Sequence, residues 1–340
     1  MTPTFWQYLL AGNLRGTKAH EIVESIRGGG LNPVSALLSH PLLTAAERKA
    51  VQGADLRAFE TFMRQGGQVI ERPPYRGGLD HTQYPPVLFG RGDLSGLVGP
   101  TIGIVGTRQA TSYGQTVARR FASELAAAGV TVISGGALGI DACAHEGALE
   151  TGKSVAVLPC GADIAYPPAH KELFSRMGLV SPFAVGAKQR DYTFLERNAI
   201  IAALSDALLV VEVPAKSGAT RTAIAAIEQG KQVYVIPGPI TSPSFFGSHA
   251  LIRDGATLVV HPENILAEYG IESAVAPAPA EIDLTTLGGR ILAALEGEPI
   301  TAEKLSSRVG SEVAEVLTEL TILEMEGRVV RAGVGYALSL

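Results

Sequence analysis

The amino-acid sequence predicts an α/β protein built around a doubly wound, mostly parallel sheet. Between about residues 98 and 260, short runs rich in Val and Ile alternate with helical patterns. These apolar runs do not alternate with polar residues, which is typical of parallel strands buried on both faces. Each glycine cluster in this part of the chain follows a predicted strand. Such sheets bind their ligands at that edge, outside the carboxyl ends of the strands.

The predicted strands and helices follow one another in a regular order. The strands are TIGIVG, VTVISGG, SVAVLPCG, ALLVVEV, QVYVIPG and ATLVV. Helical patterns lie between them in GQTVARRFASELAAAG, IDACAHEGALETG and TAIAAIEQG. Strands that alternate with helices imply parallel pairing, because each helix carries the chain back across the sheet.

Smaller segments flank this central domain. Before it, the helical pattern KAHEIVESIR ends at GGGLNP, and the turn-rich stretch Arg72–Pro86 predicts a linker or an extended lead-in. After it, the Pro/Ala-rich stretch Ala276–Asp283 precedes three helices and two short strands around Gly333 and Gly335, the order of a winged helix. The predicted domains are 1–75 (helical), 76–268 (sheet), 269–283 (linker) and 284–340 (winged helix).

The composition predicts a cytoplasmic protein with a sizeable core. Of the 340 residues, 46% are hydrophobic and 18% are charged. No apolar run reaches the roughly 18 residues that a membrane-spanning helix needs, and the N-terminus lacks the features of a signal peptide. Cys143 and Cys160 lie in apolar segments without metal-ligand spacing. We therefore expect them to be reduced core residues.

Charge is distributed unevenly along the chain, whose net charge is −5. Residues 1–95 carry a net charge of +2, residues 96–266 carry none, and residues 267–340 carry −7. The third helix of the predicted winged helix has no Lys or Arg. It contains Glu312, Glu315, Glu319, Glu324 and Glu326. Because this helix enters the major groove in DNA readers and phosphates would repel it here, we expect a protein-contact or structural role.

The first glycine-rich turn, GIVGTRQATSYG from Gly103 to Gly114, lies between a strand and a helix. Turns of this kind usually hold an anion, often a phosphate. The dinucleotide fingerprint and the acidic residue that should close the second strand are both missing, so NAD is not expected. A Walker A loop is missing as well. Arg108 supplies a guanidinium that can bind phosphate through two parallel hydrogen bonds; the alternative is that it pairs with a surface carboxylate.

Later strand ends offer further candidate anion-binding residues. These are Ser134, Gly135, Gly136, Arg197, Asn198, Lys216, Ser217, Gly218, Thr220 and Arg221. Local helix capping is the alternative role for Asn198 and for the Ser/Thr residues. A row of such turns suits the repeated phosphates of a nucleic acid better than one nucleotide. No carboxylate pair, Cys–His pair or Ser–His–Asp set lies at these turns. The sequence therefore favours a binding protein over an enzyme, and we expect no catalytic, metal or cofactor site.

Other polar and aromatic residues near these turns are expected to be structural. Asp141 could cap the helix that follows the second turn, and His145 is expected to pack within that helix. Tyr166, Phe245 and Phe246 could stack on bases. Core packing is the expected role for each.

Seven ordered blocks at these positions resemble the DNA-processing protein A (DprA/Smf) family of natural transformation. The blocks are YPPVLFGRG, IGIVGTRQATSYG, ISGGALGIDACAH, VAVLPCGADIAYPPAH, ERNAIIAALSDALLVVEV, SGATRTAIAAIEQGKQVYVIPG and GSHALIRDGATLV. They cover about residues 84–260. Seven blocks in one order are far more specific than any single loop.

The resemblance implies an extended Rossmann-like fold that binds and protects single-stranded DNA, forms a homodimer through this domain and loads the recombinase RecA. It also implies a small N-terminal helical domain of the SAM or helix-hairpin-helix type and a C-terminal winged helix, as in longer family members. No enzymatic activity is implied. Carried over to this sequence, the DNA contacts fall on Gly106, Thr107, Arg108, Arg197 and Asn198, with Ser134–Gly136 and Ser217–Gly218 lining the same pocket.

The sequence departs from the family pattern near two of these positions. Ala199 replaces the second arginine of Arg-Asn-Arg, and Glu196 directly precedes Arg197. Arg221 stands where an apolar residue is commoner. One cation is thus lost and another gained, which bears on the affinity for DNA and on the path of the strand.

Two other functions are compatible with a fold of this class. One is a phosphoribohydrolase that cleaves the N-glycosidic bond of nucleotides, but SGATRTAIA lacks the glutamate that assists this cleavage. The other is a protein-interaction adaptor with a vestigial pocket.

Overall fold

The computed structural model describes residues 1–27, 32–77, 80–271, 283–295, 299–325 and 328–338. The chain divides into two compact units, Met1–Ile271 and Glu272–Leu340. Of the predicted linker 269–283, residues 272–282 lie outside the described residues, and so does Glu326 of the predicted third helix. The finer division of the chain into four segments remains a prediction.

Five short helices begin the first unit. They are α1 (Pro3–Ala11), α2 (Gly16–Arg27), α3 (Pro33–Ser39), α4 (Ala45–Gln52) and α5 (Leu56–Arg64). Side chains that accept hydrogen bonds from first-turn amides define several starts, such as Thr44, which forms a capping box with Glu47 at α4. The apolar faces of these helices share a core with Val87 and Phe89 of the sheet.

A nine-stranded sheet forms the centre of this unit. Its strands are β1 (Gln68–Glu71), β2 (Val87–Arg91), β3 (Thr101–Val105), β4 (Thr131–Ser134), β5 (Ser154–Val157), β6 (Gly178–Ser181), β7 (Ala207–Val210), β8 (Gln232–Val235) and β9 (Thr257–Leu258). The spatial order is β1-β2-β6-β5-β4-β3-β7-β8-β9. β3 to β9 pair in parallel, whereas β1 and β2 are antiparallel additions at one edge. The doubly wound, mostly parallel architecture is confirmed.

Helices cover both faces of the sheet. They are α6 (Ser112–Ala127), α7 (Ile140–Thr151), α8 (Lys171–Ser175), α9 (Asp191–Leu204), α10 (Gly218–Glu228), α11 (Phe246–Arg253) and α12 (Glu263–Leu266). Successive strand residues point to opposite faces. In β3, Ile102 and Ile104 join one buried cluster, while Val105 joins the other. None of the described helices is long and apolar enough to cross a bilayer.

The winding of the chain creates a switch point beside β3. From β3 the chain runs outward through β4, β5 and β6, then returns to β7 on the other side of β3. The connections that leave the carboxyl ends of β3 and β7 therefore go to opposite faces. A crevice opens between them, and open α/β sheets bind their ligands in this crevice.

The second unit has the element order of a winged helix, as predicted. It contains α13 (Leu287–Ala294), α14 (Ala302–Val309), α15 (Val313–Met325) and the antiparallel pair β10 (Val329–Ala332) and β11 (Gly335–Leu338). Ile291, Leu305 and Leu320 lie in its core. On α15, Glu315 is exposed and no Lys or Arg occurs, so the acidic character predicted for this helix applies to its described residues.

Candidate nucleic-acid interface

A cavity of about 590 Å³ opens at the switch point, at the carboxyl ends of β3, β4 and β7. It is lined by nine of the thirteen residues predicted from the sequence. These are Gly106, Thr107, Arg108, Arg197, Asn198, Lys216, Ser217, Gly218 and Arg221. Gly135 lines a neighbouring pocket of about 90 Å³ together with Arg108 and Arg197. Ser134, Gly136 and Thr220 line neither.

Close packing against α7 shapes the loop after β3. A Cβ atom on Gly106 would lie 2.5 Å from the Cγ1 atom of Ile140, so a side chain has no room there. The backbone N–H of Thr107 donates to the carbonyl of Glu212 at 2.8 Å, and its own carbonyl accepts from the N–H of Ile140 at 3.1 Å. The loop is therefore held from both sides, with Arg108 at its tip.

The sequence did not reveal that Glu212, just beyond β7, organises this loop. Its side chain is fully buried. One carboxylate oxygen, Oε2, accepts from the backbone N–H of Thr111 at 3.0 Å and from its hydroxyl at 2.8 Å. Thr111 in turn caps α6. The available signal was an acidic residue inside the apolar run ALLVVEV, because a buried carboxylate requires hydrogen-bond donors.

Arg108 is exposed at the mouth of the cavity. Its guanidinium carbon lies 5.3 Å from the centroid of the Phe194 ring. No carboxylate forms an ion pair with it among the described residues, so the predicted alternative of a surface ion pair is not found there. Stacking on a ring face leaves the in-plane N–H groups of a guanidinium available to an anion.

Arg197 lies at the base of the cavity and is only 5% exposed. Its Nη1 donates to the carbonyl of Val157 at 3.2 Å, while its Nε has no partner among the described residues. A Cβ atom on Gly135 would collide with Nη1, which explains the glycine in the turn after β4. The helix α9 begins six residues earlier, at Asp191. Arg197 and Asn198 therefore lie in its second turn rather than at its start.

Asp141 is the counter-charge of Arg197 and does not cap α7, contrary to our expectation. Gly139 is the N-cap residue, and Asp141 lies inside the first turn with its carboxylate accepting from the N–H of Ala137 at 3.3 Å. Burial raises the pKa of Asp141, and the Arg197 guanidinium opposes that shift. Part of the Arg197 charge is therefore balanced by the protein itself.

The third turn combines local capping with exposed charge. Ser217 caps α10 by accepting from the N–H of Ala219 at 3.2 Å, and Asn198 Nδ2 donates to the carbonyl of Gly218 at 3.3 Å. Lys216 and Arg221 are exposed at the rim. The cavity lining thus contains four cations and one carboxylate: Arg108, Arg197, Lys216 and Arg221, and Asp141.

Glu196 and Ala199, the two departures from the family pattern, do not line the cavity. Glu196 forms an ion pair with Arg15 from the loop between α1 and α2. Arg15 also lies over the Phe183 ring, and burial lowers its pKa to about 10. The negative charge of Glu196 is therefore neutralised outside the cavity.

Ser134, Gly136, His145 and Thr220 lie outside the larger cavity. The Ser134 hydroxyl is buried and donates to the carbonyl of Ile104 at 2.6 Å. Gly136 has a positive φ of 66°. His145 packs as expected: it is fully buried, its Nδ1 lies 2.7 Å from the Ser154 hydroxyl, and burial lowers its pKa to about 3. Thr220 lies in α10, and its hydroxyl has no partner among the described residues.

The prediction for the cysteines is confirmed, and that for the aromatic residues is confirmed only in part. Phe245 is buried, whereas Phe246 is 46% exposed, so core packing is wrong for Phe246. Tyr166 lines the smaller pocket, with its ring centroid 6.0 Å from that of Phe194. Cys143 and Cys160 are free and buried, as expected. Among the described residues, no cluster of three or more His, Cys, Asp or Glu could hold a metal.

Comparisons with known proteins agree with this architecture. The model of the DNA recombination-mediator protein A family matches residues 69–270, and that of the DprA winged helix domain matches residues 275–333. Protein Smf of Escherichia coli is 38% identical over 76% of this chain and 73% of its own length. The putative DNA processing protein DprA of Mycobacterium tuberculosis is 33% identical over 99% of this chain and 96% of its own length.

Two solved structures are similar to this chain. DNA processing protein A from Streptococcus pneumoniae aligns with a TM-score of 0.67 and 26% identity, covering 80% of this chain and 99% of its own. DNA processing protein A from Helicobacter pylori was described for its single-stranded DNA binding mode. It aligns with a TM-score of 0.54 and 28% identity, covering 60% of this chain and 95% of its own. With a family model that matches more than half of its length, this chain belongs to the DNA recombination-mediator protein A (DprA/Smf) family, whose members are DNA-binding mediators rather than enzymes.

Proposed function

We propose that this protein binds single-stranded DNA in the cavity beside β3, protects incoming strands during natural transformation and loads RecA recombinase onto them in the cytoplasm. The convergence of three strand-end turns and four cations in one cavity carries this proposal. The relative from Helicobacter pylori supports it, since that structure was described for single-stranded DNA binding. The acidic α15 supports a protein-contact role for the winged helix.

The shape of the cavity favours single strands over duplexes. The binding groups lie in a crevice, with Arg197 almost fully buried at its base. A flexible strand can bend its phosphates into such a crevice and turn its bases outward, whereas a rigid duplex cannot. Phe194 and Tyr166 offer ring faces beside the cations, and stacking of this kind tolerates every base.

Replacing Arg108 with alanine tests the proposed site. We expect binding of single-stranded DNA to weaken similarly for all base sequences, because a phosphate contact carries no base information. The slope of log K against log salt should become shallower by about 0.7, the amount for one lost contact on a single strand. Fluorescence anisotropy at several salt concentrations measures both quantities. Arg64→Ala, an exposed arginine of α5, is the matched control. Unchanged affinity of Arg108→Ala at every salt concentration would show that the cavity does not bind DNA.

We also propose that the homodimer forms at the β9 edge of the sheet. Leu258 of β9 and Val260 just after it are 48% and 51% exposed. Ile224 and Ile227, on the helix α10 that packs against β8, are 46% and 53% exposed. An edge strand with apolar side chains readily pairs with another chain.

A charge placed at this edge should break the dimer. We expect Leu258→Lys to sediment as a monomer at micromolar concentration under conditions where the parent is a dimer, because a charge would have to be buried without a partner. Val98→Lys, an exposed apolar position before β3 at the opposite end of the strands, should leave the dimer intact. A Leu258→Lys protein that sediments like the parent contradicts the proposed interface.

A further inference from the structure

An uncharged aromatic surface lies on the β8 side of the cavity. We define this β8-side surface by its exposed residues Tyr113, Pro239, Ile240, Thr241 and Phe246. Ile240 is 83% exposed, while Tyr113 and Phe246 are 41% and 46% exposed. Large apolar side chains concentrated at one place on a surface commonly mark an interaction site.

A rigid base supports this surface. Buried Phe245 contacts the Tyr113 ring edge-on, with 5.8 Å between the ring centroids, and lies 6.5 Å from the His249 ring. The Tyr113 hydroxyl donates to the carbonyl of Pro237 at 3.1 Å, and His249 Nε2 lies 3.0 Å from the carbonyl of Gly238. The first turn of α6 is thereby joined to the loop after β8.

The β8-side surface is continuous with the rim of the cavity. Gly247, directly after Phe246, donates its N–H to the carbonyl of Val213 at 2.9 Å. A Cβ atom on Gly247 would lie 2.5 Å from the carbonyl oxygen of Pro214, a lining residue of the cavity. Tyr113 lies in the first turn of α6, which follows the loop that carries Arg108. A strand that leaves the cavity on this side therefore meets the surface next.

The absence of charged residues from the β8-side surface indicates which ligand groups it binds. The segment 237–250 contains no Lys, Arg, Asp or Glu, and neither does the first turn of α6. An acidic or basic protein partner would be expected to meet opposite charges here, and phosphates would meet none. Nucleobases instead stack on aromatic and apolar side chains without needing charge.

We propose that bases of a single strand leaving the cavity stack on the β8-side surface, with Phe246 and Tyr113 as platforms. This inference rests on the proposed function of the cavity and extends it. The pocket that contains Tyr166 and Phe194 lies toward β5, and the β8-side surface lies beyond β7. The strand would thus cross the sheet edge from β5 to β8, with its phosphates over β3 and bases stacked on both sides.

The test compares Phe246→Ala with the parent on oligothymidines of increasing length, from roughly 4 to 20 nucleotides, a range that brackets known site sizes. Short strands that fill only the cavity should bind both proteins equally. Long strands should bind Phe246→Ala at least about fivefold more weakly, the loss expected when one stacked base is released. The salt slope should not change, because stacking releases no counterions. Phe246→Tyr should bind like the parent, and so should Val98→Ala, a control at the opposite end of the strands.

Three results would overturn the inference. One is equal binding of Phe246→Ala and the parent at every length. Another is a loss of affinity in Phe246→Ala that is the same for short and long strands. The third is a loss that accompanies dissociation of the dimer in sedimentation, which would assign the surface to contact between two copies of the chain. Arg108→Ala separates this inference from the proposed function: if that variant also binds normally, the cavity itself is wrongly assigned.

Discussion

Arg197→Met should destabilise the first unit by up to about 3–5 kcal/mol near neutral pH, because it removes the guanidinium charge that opposes the desolvation of the buried Asp141 carboxylate. Arg197 and Asp141 are 5% and 6% exposed, so water cannot replace the lost guanidinium. For a chain of this size we expect the melting temperature to fall by roughly 6 to 20 °C. Thermal unfolding followed by circular dichroism measures this shift.

The stability lost in Arg197→Met should depend on pH in a defined direction. Burial raises the pKa of Asp141, and Arg197 opposes this effect, so the pKa should rise further in Arg197→Met. A carboxyl group whose pKa is higher in the folded state than in the unfolded state loses stability as the pH rises above its unfolded value of about 3.9. The difference between variant and parent should therefore be small near pH 4 and grow toward neutral pH.

A second variant separates charge from packing. In Arg197→Met with Asp141→Asn, no unpaired carboxylate remains, so the double variant should be more stable at pH 7 than Arg197→Met alone. A double-mutant cycle at two pH values gives the coupling energy directly. A loss that is the same at pH 4 and pH 7, with no recovery in the double variant, would show that Asp141 does not balance Arg197.

Glu212→Ala should release the loop that carries Arg108. The variant loses two hydrogen bonds from Thr111 to a carboxylate, each worth about 1.5–3 kcal/mol, and leaves partly buried donors without an acceptor. We expect lower stability and a loss of single-stranded DNA affinity of at least about tenfold, because Arg108 would no longer be held at the cavity mouth. Hydrogen exchange at Thr107 and Thr111 should speed up. Glu212→Gln keeps one acceptor oxygen and should show smaller effects.

Non-additivity identifies Glu212 as a positioning residue. If Glu212 acts through the loop, adding Arg108→Ala to Glu212→Ala should cost little further affinity, since the arginine has already lost its position. Fully additive losses, or parental affinity in Glu212→Ala with faster exchange in the loop, would show that the loop conformation does not control binding.

The sequence predicted those strands of the sheet that are buried on both faces. β3, β4, β5, β7 and β8 coincide with Val- and Ile-rich runs, and a parallel order follows from their alternation with helices. The predicted run ATLVV contains β9, although both residues of that strand are exposed. β1, β2 and β6 were not predicted. The strand β1 is partly exposed, with the sequence QVIE, and β6 begins with Gly178 and is followed directly by Pro182. Their pairing depends on neighbours distant in the chain.

The candidate site was predicted from the polar and charged residues at strand ends. The predictions that proved wrong concerned the direction in which individual side chains point. The nine lining residues were found because parallel strands bring their carboxyl ends to one edge. Asp141 was expected to cap a helix, but its position inside the first turn directs the carboxylate to Ala137 and Arg197. Exposed Phe246 follows buried Phe245, and no local pattern distinguishes the two rings.

The sequence by itself determined the doubly wound sheet, the sheet edge at which we propose that anions bind, and the family of the protein. These properties depend on local pattern and on the order of motifs along the chain. Only the tertiary structure decided that Asp141 balances Arg197, that Glu212 holds the loop of Arg108 and that Arg15 neutralises Glu196 outside the cavity. Each of these pairs joins residues at least 56 positions apart. Their contact is set by how helices and strands pack, because a charge must find its partner in space rather than along the chain.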